Sequence, residues 1–211
     1  MRRLNMPIGG ARIAIQGFGN VGSTTSELFA KAGALIVAAQ DSGGTICNAQ
    51  GLPIAELADH VQRHRTVGGF PGGDSLDPEA FWDAPCDVMI PAALQGQITA
   101  ARAERLRARL VLEGANGPTL AEADDILGSR GIVVVPDVIC NSGGVTVSYF
   151  EWVQDFDSYF WTEDEINQRL EKIVLDALEQ IWQTSERRGI SLRTAAFVVA
   201  LIAHEERGLY P

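Results

Sequence analysis

The chain is poor in lysine, in cysteine and in unbroken apolar sequence, and each shortage narrows what it can be. Lysine occurs twice, as Lys31 and Lys172. Lys and Arg together number 17 against 27 Asp and Glu, a formal net charge of −10 at pH 7. A surface of that sign repels a phosphate backbone, so no nucleic-acid partner is expected. Cys47, Cys86 and Cys140 are odd in number and scattered, with no C-x-x-C pair. This excludes a disulfide scaffold and suits a reducing compartment, so a cytoplasmic protein is expected. No His lies near Cys140 in sequence to activate it, and a small buried apolar side chain is the expectation there. The longest apolar run, Ala195–Ala203, falls far short of the ~20 residues that cross a bilayer. No membrane partner is expected. Met1-Arg2-Arg3 is followed by Asn5, Pro7 and Gly9 rather than by the apolar stretch of a signal peptide. Internal repeats and low-complexity segments are absent.

Composition is otherwise ordinary for a globular protein, at 46% hydrophobic and 21% charged residues. A chain of 211 residues can bury a full core. Apolar runs with strand character recur near residues 12–16, 34–40, 87–90, 109–112 and 132–135, with helical stretches between most of them. That alternation predicts a parallel sheet covered on both faces. The second crossover is long. It holds Gly43-Gly44, an excursion around Thr45–Gly51, a helix near Pro53–Arg63 and a Gly-rich loop through 68–73. Asp77-Pro78-Glu79 reads as an N-cap, a first-turn proline and a first-turn acid.

After residue 141 no strand pattern remains. Thr162 and Glu165 form a capping box. Ile166, Leu170, Ile173, Val174, Ala177, Leu178, Ile181 and Trp182 mark one apolar face of a long helix. A last helix runs through about Leu192–Glu206 and ends at Gly208. The expected class is α/β: a Rossmann-type doubly wound, mainly parallel sheet over 1–144, with a C-terminal helical tail over 145–211.

The densest signal lies at residues 12–22. A short apolar strand runs into Gly17, Gly19 and Gly22, the spacing G-x-G-x-x-G. A helical pattern follows, with Val21, Leu28 and Ala32 on one expected apolar face and Gly33 where the helix would stop. Asp41 closes the next apolar run, 19 residues beyond Gly22. Such a unit holds a dinucleotide pyrophosphate: the first glycine allows the tight turn, the second lets backbone approach phosphate, the third lets helix lie on sheet. The helix N-terminus offers amides and partial positive charge to the anion. The competing reading is a βαβ unit that binds nothing, with Asp41 capping a loop. An acid at this position can accept the adenosine ribose hydroxyls and repels a 2′-phosphate, and no Arg or Lys occupies the next twenty positions. NAD is therefore the expected coenzyme.

His60 and His64 stand four apart, a spacing that can bind metal, but the intervening sequence lacks the Glu of H-E-x-x-H. A solvated helix face is expected there, and no metal.

Three further stretches join the glycine motif in one order: Pro91-Ala92-Ala93-Leu94-Gln95-Gly96-Gln97-Ile98-Thr99, Glu113-Gly114-Ala115-Asn116-Gly117-Pro118-Thr119 and Pro136–Trp152. With them the chain resembles the C-terminal, nucleotide-binding domain of glutamate dehydrogenase, of the Glu/Leu/Phe/Val amino-acid dehydrogenase family, over nearly its whole length. The resemblance implies coenzyme contacts from Gly17, Phe18, Gly19, Asn20, Val21, Gly22, Asp41 and Ser42. It further implies that Ala92 and Ala93 line the adenosine and ribose region and that Asn116 and Asn141 meet the nicotinamide. A loop cap is the alternative for each Asn. Val145 and Ser148 are implied on the substrate side, and Ser148 favours glutamate over leucine, valine or phenylalanine. Its alternative is packing against helix backbone.

In relatives a separate N-terminal domain supplies the catalytic lysine, the acid–base aspartate and most substrate contacts. This chain begins 16 residues before Gly17, and neither lysine is placed to activate a carbon at the sheet edge. The expectation is a fragment that binds NAD, has no catalytic residue of its own and does not oxidise glutamate alone. The full-length enzyme is expected as a homo-hexamer, the fragment as a monomer or dimer. The alternatives are a stand-alone NAD-binding or regulatory module, or a Leu/Val/Phe dehydrogenase domain.

Overall fold

The structure, a computed structural model, describes residues 1–206. Contacts divide the chain into two compact units, Met1–Val134 and the residues from Val135 on. The division precedes the expected boundary after residue 144.

The first unit is built on a seven-stranded sheet in the order β4-β3-β2-β1-β5-β6-β7. Five strands coincide with the five apolar runs: β1 Arg12–Gln16, β2 Leu35–Gln40, β5 Val88–Pro91, β6 Leu110–Leu112 and β7 Val133–Val135. β1 pairs in parallel with β2 on one side and β5 on the other, and β5 pairs in parallel with β6. The continuous apolar composition of β1 follows from cover on both faces, since Ile13, Ala14 and Ile15 are all fully buried. Ala14 joins a cluster with Phe81, Trp82, Met89, Leu106, Val111 and Leu127, which includes residues of α3 (Ala100–Arg105) and α4 (Ala121–Ser129). Ile15 faces the other way, onto α1 (Asn20–Lys31). Each such side chain contributes about 1.5–3 kcal/mol on burial.

Two strands have no counterpart in the sequence pattern. β3 (Thr45–Cys47) runs antiparallel to β2, and β4 (Asp74–Ser75) antiparallel to β3. Neither carries the apolar run that marks β6 and β7, since β3 reads Thr45-Ile46-Cys47 and β4 Asp74-Ser75. The helix expected near Pro53–Arg63 is α2, Ile54–His64. Asp77 caps as its position suggests. Its Oδ1 accepts from the amides of Glu79 and Ala80 at 2.9 and 3.1 Å, starting a short 3₁₀ helix, Ala80–Asp83.

The face of α1 differs from expectation. Val21, Leu28 and Ala32 are exposed, and Gly22 and Ser26 are buried instead. Small residues let the helix axis approach the sheet, so the helix buries its smallest side chains and turns larger ones outward.

The second unit is helical: α5 Asp137–Cys140, α6 Ser142–Asp157, α7 Glu163–Arg188 and α8 Leu192–Glu206. The capping box is formed, with Thr162 and Glu165 exchanging bonds at the start of α7. The expected end of the last helix at Gly208 lies outside the described residues. Of the apolar face expected on α7, Ile181 is buried, Ile173 is exposed and the others are half-buried. At 26 residues α7 is longer than α6 or α8, which have 16 and 15, so its face is not covered along its whole length. On α6 Val145, Tyr149, Trp152 and Phe156 are all exposed. Their spacing places them on one helical stripe. Among the described residues no helix is long and apolar enough to cross a membrane.

Candidate coenzyme-binding site

The chain leaves β1 for β2 on one side and, after β4, crosses to β5 on the other side of β1, so the strand order reverses beside β1. Open α/β sheets bind ligands in the crevice at such a reversal, outside the carboxyl ends of the strands. The carboxyl end of β1 is Gln16, and Gly17 follows with φ +94°, a conformation that side chains with a Cβ rarely adopt. Its amide donates to the Gln40 carbonyl at the end of β2 (2.6 Å). The Ala92 amide, past the end of β5, donates to the Gln16 carbonyl (2.6 Å), and the Ala115 amide, past β6, to the Pro91 carbonyl (2.9 Å). Three edge loops are thereby laced together.

The glycines make this lacing possible. A Cβ on Gly17 would lie 2.8 Å from backbone atoms of Ala92 and Ala93. One on Gly114 would lie 3.3 Å from the Ala92 Cβ and 3.4 Å from the Val21 Cγ1. Gly19 differs: a Cβ there would meet nothing within 4 Å. It is the N-cap of α1 in extended backbone, and no side chain caps that helix start. The space above Gly19 and the uncapped first turn together suit a diphosphate bridge, which needs close backbone approach and amide donors. Around this turn Phe18 is buried, whereas Asn20 and Val21 are exposed. Ala92 is half-buried, and Ala93 and Asn116 are exposed on the neighbouring loops. Glu113, between β6 and Gly114, is fully buried.

Asp41 stands directly after β2. Its Oδ1 accepts from the amides of Gly43 (2.9 Å) and Gly44 (2.9 Å) and from the Thr66 hydroxyl (2.8 Å). Its Oδ2 accepts from the Val67 amide at 2.7 Å. The loop-capping role weighed for this acid is therefore present, and Ser42 is exposed in the capped loop. A carboxylate offers about four acceptor positions. Oδ1 is saturated, so any ribose hydroxyl is left with Oδ2. Sequence reading missed Thr66 and Val67, which lie just before the Gly-rich loop through 68–73 and 25 and 26 residues from Asp41.

In the second unit Asn141 lies between α5 and α6, exposed, and makes no side-chain capping bond to α6. Val145 and Ser148 follow on α6, three residues apart and both exposed. Cys140 is exposed, not the buried small residue expected, with its Sγ 3.4 Å from the Val135 carbonyl oxygen. It falls at the end of a four-residue helix.

His60 also departs from expectation. It is half-buried, its Nε2 lies 3.1 Å from the Gly68 carbonyl oxygen, and its ring meets Phe70 edge-on at 5.4 Å. His64 is exposed as expected. Among the described residues no group of three or more His, Cys, Asp or Glu is arranged to hold a metal ion. Both histidines line an open cavity of 690 Å³ with Arg63, Thr66 and Phe70.

Sheet order, glycine turn and laced edge loops define a doubly wound α/β protein of the Rossmann type. The chain belongs to the Glutamate/Leucine/Phenylalanine/Valine dehydrogenase family, whose model matches residues 1–207. It is 45% identical over 206 residues to a glutamate dehydrogenase of Thermotoga maritima, covering 95% of this chain and 50% of that one. It is 42% identical to an NAD-specific glutamate dehydrogenase of Clostridioides difficile, covering 93% of this chain and 48% of the relative. It is equally, 42%, identical to an NADP-specific one of Synechocystis, covering 90% and 46%. The chain thus spans about half the length of the curated relatives it matches. Among solved structures, the hetero-hexameric glutamate dehydrogenase of Thermus thermophilus in a leucine-bound form superposes with a TM-score of 0.91. That match is at 32% identity and covers all of this chain and 50% of the other.

Proposed function

We propose that this chain is the coenzyme-binding half of an NAD-dependent glutamate dehydrogenase. The reaction is L-glutamate, NAD⁺ and water giving 2-oxoglutarate, ammonium, NADH and a proton. The glycine turn at the point of strand-order reversal carries the reading. Gly17 holds the turn, Gly19 leaves room for the diphosphate, and the first amides of α1 face it. Ala92 and Ala93 flank the adenosine side, Asn116 and Asn141 serve the nicotinamide carboxamide, and Asp41 takes one ribose hydroxyl through Oδ2. When bound, NAD supplies the hydride acceptor, and the protein's part is orientation. Val145 and Ser148 meet the substrate, Ser148 through the glutamate side-chain carboxylate.

The remaining catalytic groups come from elsewhere in the full-length enzyme. Lys31 pairs with Glu27 at 4.0 Å and Lys172 with Asp176 at 2.6 Å, each with a partner on its own helix. Neither can serve as an active-site amine, so this chain alone does not turn over glutamate. The exposed stripe on α6 supports association with a further part of a larger enzyme, a hexamer like the Thermus thermophilus relative.

Isothermal titration of the chain with NADH and NADPH tests the proposal. NADH binds, and more tightly than NADPH. Absence of binding by either coenzyme removes the reading. Tighter NADPH binding removes the NAD preference, a real competitor given the NADP-specific relative. NADH formation from glutamate by this chain alone would overturn the division of labour.

A further inference from the structure

Four donors from two segments converge on one carboxylate. Gly43 and Gly44 lie just past Asp41 in sequence, and Thr66 and Val67 follow α2. The segments are pressed together: a Cβ on Gly44 would stand 2.4 Å from the Gly68 Cα, and one on Gly43 2.4 Å from the Thr66 Oγ1. Val67 is fully buried. The Thr66 hydroxyl donates to Asp41 and accepts from the Gly68 amide at 3.0 Å, so it cannot turn to another partner without losing both. Backbone amides and a hydroxyl converging on one point are what a protein uses to hold an oxyanion.

We propose that these residues form an anion seat filled by the protein's own carboxylate, and that this seat sets coenzyme selectivity. Asp41 occupies the place in which the oxygens of a 2′-phosphate would be held, and Thr66 positions it there. The inference rests on the coenzyme reading above. It differs from repulsion by a free acid. An unclamped carboxylate can swing aside and admit a 2′-phosphate, whereas a clamped one keeps both its charge and its donors engaged. Selectivity then depends on a hydroxyl 25 residues away in sequence.

The probes are 5′-AMP and adenosine 2′,5′-bisphosphate, which differ only in the 2′-phosphate, titrated calorimetrically into the whole chain. The native protein prefers 5′-AMP. Asp41→Ala empties the seat, and the preference shifts by about tenfold or more toward the bisphosphate. Adding Thr66→Val to Asp41→Ala takes away a donor and reverses about tenfold of that gain, whereas adding Thr66→Ser keeps it. Loss of packing alone cannot create affinity for a 2′-phosphate, so a gain reads the seat and not the fold. Thr66→Val in the native background loosens Asp41 and narrows the preference for 5′-AMP, which keeps the test open even where Asp41→Ala does not fold. In Asp41→Ala, inorganic phosphate shifts the amide resonances of Gly43, Gly44 and Val67, a readout independent of nucleotide binding. No gain for the bisphosphate, no resonance shift, or a gain untouched by Thr66→Val overturns the seat. If NADH still binds the native chain in that case, the coenzyme reading stands without it. If the native chain binds no adenine nucleotide while phosphate enters the Asp41→Ala seat, the coenzyme reading and the selectivity role fall and only the anion site survives.

Discussion

Gly22 rests on the backbone of Gly17: a Cβ built on Gly22 would stand 1.8 Å from the Gly17 carbonyl oxygen. The third glycine of the motif is thus fixed by the first. Together they close the turn between β1 and α1 so tightly that no side chain fits between strand end and helix. Gly19, between them, has open space. The fold therefore demands glycine at Gly17 and Gly22, and makes no such demand at Gly19.

Gly22→Ala destabilises the first unit. The clash is with backbone, which cannot rotate away, so overpacking costs about 2–3 kcal/mol. For a chain of this size that lowers the melting temperature by roughly 4–12 °C. Differential scanning calorimetry of the variant checks it, and an unchanged transition would show that the turn opens cheaply.

Gly19→Val behaves in the opposite way. Its backbone is extended and nothing lies within 4 Å of its Cβ, so stability changes by less than about 0.5 kcal/mol. NADH affinity drops by at least about tenfold, because the branched side chain fills the space above the first turn of α1. A variant that keeps both its melting temperature and its NADH affinity places the diphosphate elsewhere.

The contrast shows what could be read from the sequence. Glycine spacing, strand runs and the capping box at Thr162 and Glu165 are local, so their geometry follows from residues a few positions apart. The five strands with apolar runs appeared for the same reason. The clamp on Asp41 did not, because Thr66 and Val67 reach it through a fold-dependent contact and the intervening glycines read as a loop. Apolar periodicity points to the wrong face of α1 because it assumes that large side chains point inward, while Gly22 and Ser26 bury a small-residue face. The charge of its neighbours in sequence points His60 to solvent, and the returning chain at Gly68 and Phe70 covers it.

Acid weakens a link between α3 and the 3₁₀ helix. Glu79 accepts from Arg102 and, at 3.0 Å, from Arg105, which also pairs with Asp83 at 3.3 Å. The hydrogen bond from Arg102, followed by the charges of both arginines, holds the Glu79 carboxyl below its ordinary value of 4.5. A carboxyl lowered in the folded state contributes stability fully above its unfolded value, and that contribution is lost as pH falls through the folded value. Glu79 is half exposed, so the contribution is under about 1 kcal/mol. Glu79→Gln therefore lowers the melting temperature slightly near pH 7, and its curve converges on the native one as pH falls below 4.5 and through the lowered folded value. A gap that persists unchanged into strong acid would assign the effect to lost packing.

The three thiols separate by reactivity. Thiolate is the attacking form, so exposure and pKa decide the rate. Cys86 is buried, and burial, with the nearby Asp87 charge, pushes its pKa up to about 12. At pH 8 about one part in 10⁴ is thiolate. Cys47 is raised as well, by burial and then by the charge of Asp74. Cys140 alone is exposed. Ellman's reagent at pH 8 therefore titrates one fast thiol in the folded protein, Cys140→Ser abolishes that phase, and all three react in denaturant. Rapid modification of Cys86 without denaturant would mean that the core beneath β1 and β5 opens far more readily than its packing implies.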